Sequence, residues 1–185
     1  MNSSQLPKLI KIRQILPRPV VADLALSLHA QLTKLPSWPR GARIALAVGS
    51  RGITDLVPVV AAISSYLREQ GCAPFVVAAM GSHGGGTVPG QLAVLEGYGI
   101  SESTLGIPVQ ASTSTVALAG TAYQGSILVN DLAWEADGIV LINRVKTHTD
   151  IQAELESGLA KMIAIGLGNR EQAESLHHEG LEALS

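Results

Sequence analysis

The chain has 185 residues, which suits one domain with a sizeable core. Hydrophobic residues make up 46% and charged residues 15%, and the net charge of -2 leaves no basic footprint for nucleic acid or an anionic membrane. Aromatics are only 3% of the chain, so Ala, Val, Ile, Leu and Gly must build the core, at a mean hydropathy of +0.29.

Cys72 is the single cysteine, so an internal disulfide, a cysteine-rich zinc site and an iron–sulfur cluster are all excluded. One thiol fits a reducing, cytoplasmic setting. Residues 1–20 begin polar and carry Lys8, Lys11 and Arg13 without a long apolar core, so they do not read as a signal peptide. The apolar runs are short and broken by glycine, and no membrane span is expected.

In chain order, "LIKIRQIL" (9–16) alternates like a half-buried strand and is stopped by Pro17 and Pro19. "VADLALSLHAQLTKL" (21–35) has helical periodicity. "RIALAVGS" (43–50) reads as a buried strand. "TDLVPVVAAISSYLREQG" (54–71) reads as a helix with Thr54 as N-cap, Pro58 in its first turn and Gly71 as its stop. "PFVVAAM" (74–80) is the next strand, followed by the loop "GSHGGGT" and a helix over 88–99.

Residues 100–125 are rich in Ser, Thr and Gly and predict an irregular stretch with one or two strands. "SILVN" (126–130) predicts a strand, "DLAWEA" a short helix, and "GIVLINRV" (138–145) and "KMIAIGLG" (161–168) two further strands. Asn169 is expected to cap the last helix, with Gln172 at the position of a capping-box partner. Strands alternating with helices predict an α/β fold, a mostly parallel sheet with helices on both faces, Rossmann-like.

In such a sheet, ligands bind at the carboxyl ends of the strands. That rule gathers Ser50 and Arg51, then Ser82 and His83, then Lys146, Thr147 and His148 at one edge. His83 stands among four glycines, where the backbone can approach a ligand and the next helix offers free N–H groups to an anion. Taken alone, it is equally a surface histidine in a Gly-rich turn. Arg51 is able to clamp a carboxylate or phosphate, or merely to cap a neighbouring helix. Two histidines facing one pocket, His83 and His148, are what acid/base chemistry on opposite faces of a substrate requires. Asp150 and Lys146 stand close enough in sequence to tune His148.

Lys161 opens an apolar run, where a lysine snorkels, pairs or is used covalently. In the last helix Ala173, Leu176, His177, Gly180, Leu181 and Leu184 share one face, which turns His177 inward as a core residue or a metal ligand and His178 outward.

Taken together, "GSRGI", "AAMGSHGGGT", "INRVKTHTD", "ESGLAKMIAIGLGN" and His177 resemble the lactate racemase family that uses a nickel-pincer nucleotide. The resemblance covers roughly residues 40–180, in the order Arg, His, His, Lys, His. It implies that Lys161 holds the cofactor through a thioamide link and that His177 gives nickel a nitrogen ligand. It further implies that His83 and His148 act as base and acid on the two faces of a 2-hydroxy acid, and that Arg51 binds the substrate carboxylate. In such enzymes the α-hydrogen moves as hydride to the cofactor and returns to either face. The Gly-rich loop, with Gly84, Gly85 and Thr87, would hold a phosphate or carboxylate.

The chain departs from lactate racemases proper at Val48, where they carry an acidic residue, and this argues against plain lactate as the substrate. The family's enzymes also have a second half that closes over the cofactor. The whole of 1–185 is therefore expected to be one α/β domain, the catalytic and cofactor-anchoring N-terminal half of a longer two-domain protein. The expectation is a racemase or epimerase of a small 2-hydroxy acid. The alternatives are a non-catalytic module that binds a nucleotide cofactor or metal, and a 2-hydroxy acid oxidoreductase. Neither nucleic acid nor membrane is an expected partner.

Overall fold

In the sequences RIALAV and APFVVA every residue after the first is buried, the pattern of strands covered on both faces. They form β1 (Arg43–Val48) and β2 (Ala73–Ala78), which pair in parallel from Arg43↔Ala73 to Val48↔Ala78. The structure, a computed structural model, describes residues 10–17, 19–118, 127–145 and 158–179, without the side chains of 177–179. β3 (Val109–Gln110) joins the far side of β2, and β6 (Gly138–Ile142) joins the far side of β1, both in parallel. The sheet order is β3-β2-β1-β6. β4 (Thr115–Leu118) and β5 (Ile127–Asn130) form a separate antiparallel ribbon.

Parallel neighbours need long crossovers. α2 (Leu56–Glu69) returns the chain from β1 to β2, and α3 (Val88–Gly97) with the short α4 (Glu102–Leu105) returns it from β2 to β3. The alternation of strand side chains then fills two cores. On one face Ile44, Leu46, Val48 and Val76 meet Val60, Ile63 and Leu67 of α2 and Leu95 of α3. α1 (Leu24–Leu32) closes this side through Leu32.

On the other face Ala45, Ala47, Phe75, Val77 and Ala79 meet Ala133 of α5 (Asp131–Trp134), Met162 and Leu167. The small alanines of β1 let those short elements sit close to the sheet. The fold is thus α/β and mostly parallel, with helices on both faces, as expected. Among the described residues no helix is long and apolar enough to cross a membrane.

Four local expectations are corrected. Residues 9–16 were expected as a half-buried strand. The described part, 10–16, has no regular structure, and Ile10, Ile12 and Ile15 are 83, 83 and 84% exposed. An alternating stretch becomes a strand only when a neighbour pairs its backbone.

The run 161–168 is helical rather than a strand. α6 (Leu159–Lys161) leads into a π turn over Met162–Gly166, closed by Leu167 N–H donating to Met162 O at 2.9 Å. Its buried residues Met162 and Gly166 stand four apart, which is helical spacing. The N-cap of α2 is Asp55, in the left-handed region at φ 59°, in place of Thr54. Finally, α7 (Asn169–Glu179) does not open with a capping box. Asn169 and Gln172 spend their side chains on the β4–β5 ribbon and the segments beside it.

Candidate functional site

β1 and β2 end in register, so the two loops that follow leave the sheet side by side. The first carries Gly49, Ser50 and Arg51, the second Gly81, Ser82 and His83. Their side chains meet: Ser50 Oγ is hydrogen-bonded to His83 Nδ1. Tyr98, at the end of α3, donates its hydroxyl to Ser50 O at 2.7 Å. A Cβ at Gly52 would stand 3.1 Å from the Tyr98 ring, so the ring lies along this loop.

The glycines after His83 have a conformational reason. Gly84, Gly85 and Gly86 take φ of +64°, +69° and +63°, one left-handed turn that a side chain would oppose. The three differ in surroundings. A Cβ at Gly84 would come 2.6 Å from the backbone of Gly90. One at Gly86 would come 3.0 Å from Arg170 Cδ. At Gly85 nothing among the described residues stands within 4 Å of such a Cβ, and the residue is exposed. Thr87 is the N-cap of α3: its hydroxyl donates to Gly84 O and accepts from Gly90 N–H, both at 3.2 Å. That hydroxyl is committed to the turn.

Behind the turn, buried Gln91 donates from Nε2 to Gly81 O at 3.1 Å, and its Oε1 has no partner among the described residues.

The segment bearing Lys161 packs onto the same edge. Gly81 N–H donates to Gly166 O at 3.1 Å. A Cβ at Gly49 would meet Met162 Cε at 3.2 Å, and one at Gly166 would meet Ala79 O at 2.8 Å. Glycine at 49 and 166 is what lets the π turn lie against the ends of β1 and β2. Asn143, just past β6, donates from Nδ2 to Gly158 O at 2.6 Å and fixes the start of α6. Lys161 is the last residue of α6, half-buried, beside Met162. Arg170 leans its stem over Gly86, and the Glu174 carboxylate beside it, through a hydrogen bond at 2.6 Å and its charge, holds the guanidinium pKa above its ordinary range.

The edge therefore gathers Ser50, Arg51, His83, the turn with Gly84 and Gly85, Thr87 and the turn that follows Lys161. Arg51 is exposed and next in chain to Ser50. The expected acid His148, with Lys146, Thr147 and Asp150, lies outside the described residues. His177 falls within α7, but its side chain is outside them too. Among the described residues no three His, Cys, Asp or Glu converge to hold a metal.

Three contributors escape the sequence reading: Tyr98, Gln91 and Asn143. Each acts across 10 to 48 residues through a hydrogen bond to a backbone carbonyl, which no local pattern announces. No protein-family model, curated protein or solved structure matches the chain.

Proposed function

We propose that the chain anchors cofactor and moves protons in a racemase or epimerase of a small 2-hydroxy acid that uses a nickel-pincer nucleotide. The observation that carries the proposal is the packing of the Lys161 turn against the Ser50–His83 pair's own two loops, through Gly81–Gly166 and Gly49–Met162. Acid/base and covalent-anchor residue types are thereby carried by elements that share one sheet edge, where α/β folds bind ligands. The residue set suits such a cofactor. Gly85 is exposed, with nothing among the described residues within 4 Å of a Cβ there, and Lys161 carries a primary amine at the margin of the core.

Lys161 would hold the group covalently and His177 would give nickel its nitrogen. When bound, the nucleotide supplies a hydride acceptor. The chain's own part is then defined. Arg51 takes the substrate carboxylate with its planar fork. His83 accepts the hydroxyl proton on one face, and His148 does so on the other. With the hydroxyl proton held by either base and the α-hydrogen returned to either face, the configuration inverts. A cytoplasmic setting, with Cys72 buried and free, belongs to the same proposal.

The test uses protein purified from a host that makes the cofactor. Intact mass should show a covalent adduct that Lys161→Ala abolishes, with nickel near one per chain. One enantiomer of at least one of a panel of 2-hydroxy acids should convert to the racemate, an α-deuterium on it being retained in H2O because it travels as hydride, and His83→Ala should slow this by about 100-fold or more. An adduct with no racemisation of any acid would overturn catalysis in favour of a binding module. Net formation of a 2-keto acid would move the assignment to an oxidoreductase.

A further inference from the structure

We infer that Ser50 is a positioning residue for His83: its hydroxyl holds Nδ1 and leaves Nε2 as the ring nitrogen that exchanges a proton with a ligand. The inference rests on the acid/base reading of His83 given above. Ser50 Oγ occupies the Nδ1 side of the ring. Of the two ring nitrogens, Nε2 alone then remains for substrate.

A histidine that receives a proton at Nε2 must carry its other proton on Nδ1, both before and after the transfer. In both states Nδ1–H donates to Ser50 Oγ, so the ring need not turn when the proton arrives. A free neutral imidazole in water prefers the opposite tautomer, so the partner at Nδ1 has something to select.

Ser50 is held in its turn. Its carbonyl accepts from Tyr98 Oη at 2.7 Å, and the Tyr98 ring lies along Gly52. α3 thus braces the β1 loop from one end, while its N-cap Thr87 fixes the turn after His83 at the other. One helix sets both partners of the Ser50–His83 bond.

The experiment is long-range 1H–15N correlation of the full chain with 15N-labelled histidine, with the His83 signals assigned by their loss in His83→Ala. At a pH where His83 is neutral, the Nδ1–H tautomer should dominate. Ser50→Ala should convert it to a mixture rich in Nε2–H, and Ser50→Thr, which keeps a hydroxyl, should restore it. In racemisation of the 2-hydroxy acid Ser50→Ala should lower kcat by about 10-fold with KM little changed, a fraction of the roughly 10²–10⁴ an acid/base group contributes.

Identical His83 spectra in the native protein and Ser50→Ala would overturn the inference, and so would a dominant Nε2–H tautomer in the native protein. The expected tautomers together with no racemisation of any 2-hydroxy acid would uphold Ser50's role and count against the racemase reading alone.

Discussion

Gly84 and Gly85 are neighbours with nearly equal φ, +64° and +69°, yet a methyl group would meet different surroundings at each. At Gly85 it would meet none of the described residues, and an alanine there bears the left-handed strain alone, about 1–2 kcal/mol. At Gly84 it would press on the Gly90 backbone at 2.6 Å, and overpacking adds about 1–3 kcal/mol. Urea denaturation should therefore show Gly84→Ala losing about 2–5 kcal/mol and Gly85→Ala about 1–2. Equal losses would mean that the turn moves off α3 at no cost. Phosphate or carboxylate binding, if it uses this loop, should suffer at Gly85 more than stability does. The sequence "GSHGGGT" was legible as a loop with a poised histidine. Which glycine packs and which is open was not, because both spell the same letter and differ only in a neighbour six residues on. The same limit applies to Thr87, expected among the residues that hold a phosphate or carboxylate: its hydroxyl is engaged by Gly84 O and Gly90 N–H.

Asn169 joins three elements. Its Oδ1 accepts from Asn130 Nδ2 at 3.2 Å at the end of β5, and its Nδ2 donates to Ser114 O at 3.0 Å beside β4. It does so from the left-handed region, at φ 55°, as the first residue of α7. Asn169→Ala should lose both bonds and add strain, about 2–4 kcal/mol in chemical denaturation. Asn169→Gly loses the same bonds without the strain and should be the milder change by about 1 kcal/mol. The reverse order would show that chain entropy at 169 outweighs the left-handed strain.

The expected cap role of Asn169 placed the helix start correctly and misjudged what the side chain does, since its partners lie 39 and 55 residues away. The run 161–168 failed differently. A short apolar stretch cannot be told from a buried helical turn by periodicity alone. Met162 and Gly166 pack by helical spacing against Gly49 and Ala79, and glycine at 49 and 166 is what admits the turn. By contrast β1, β2 and α2 were legible to within two residues at every boundary, because covered strands and amphipathic helices write their burial into local composition.

Across the whole molecule, the parallel sheet places its most buried strand at the centre, and the candidate site grows from the ends of that strand and its neighbour. Ile44 and Leu46 in β1 are fully buried. Ile10, Ile12 and Ile15 have the same kind of side chain and more than four fifths of their surface in water. The alternation that predicts a strand over 9–16 is therefore a pattern without the pairing that would give it energy. The triple change Ile10→Ser, Ile12→Ser, Ile15→Ser tests this directly. Exposed substitutions each stay within about 0.5 kcal/mol, so the triple should change unfolding free energy by less than about 1.5 kcal/mol. Leu46→Ala, from the core of β1, should cost about 2–5 kcal/mol in the same titration. Were Ile10 and Ile12, which alternation puts on one side, covered as a strand's inner face, each would contribute about 1.5–3 kcal/mol and the triple would rival the core change. A loss above about 3 kcal/mol would restore the sequence expectation and require a partner for the segment. A loss that appears only at high protein concentration would name that partner as a second copy of the chain.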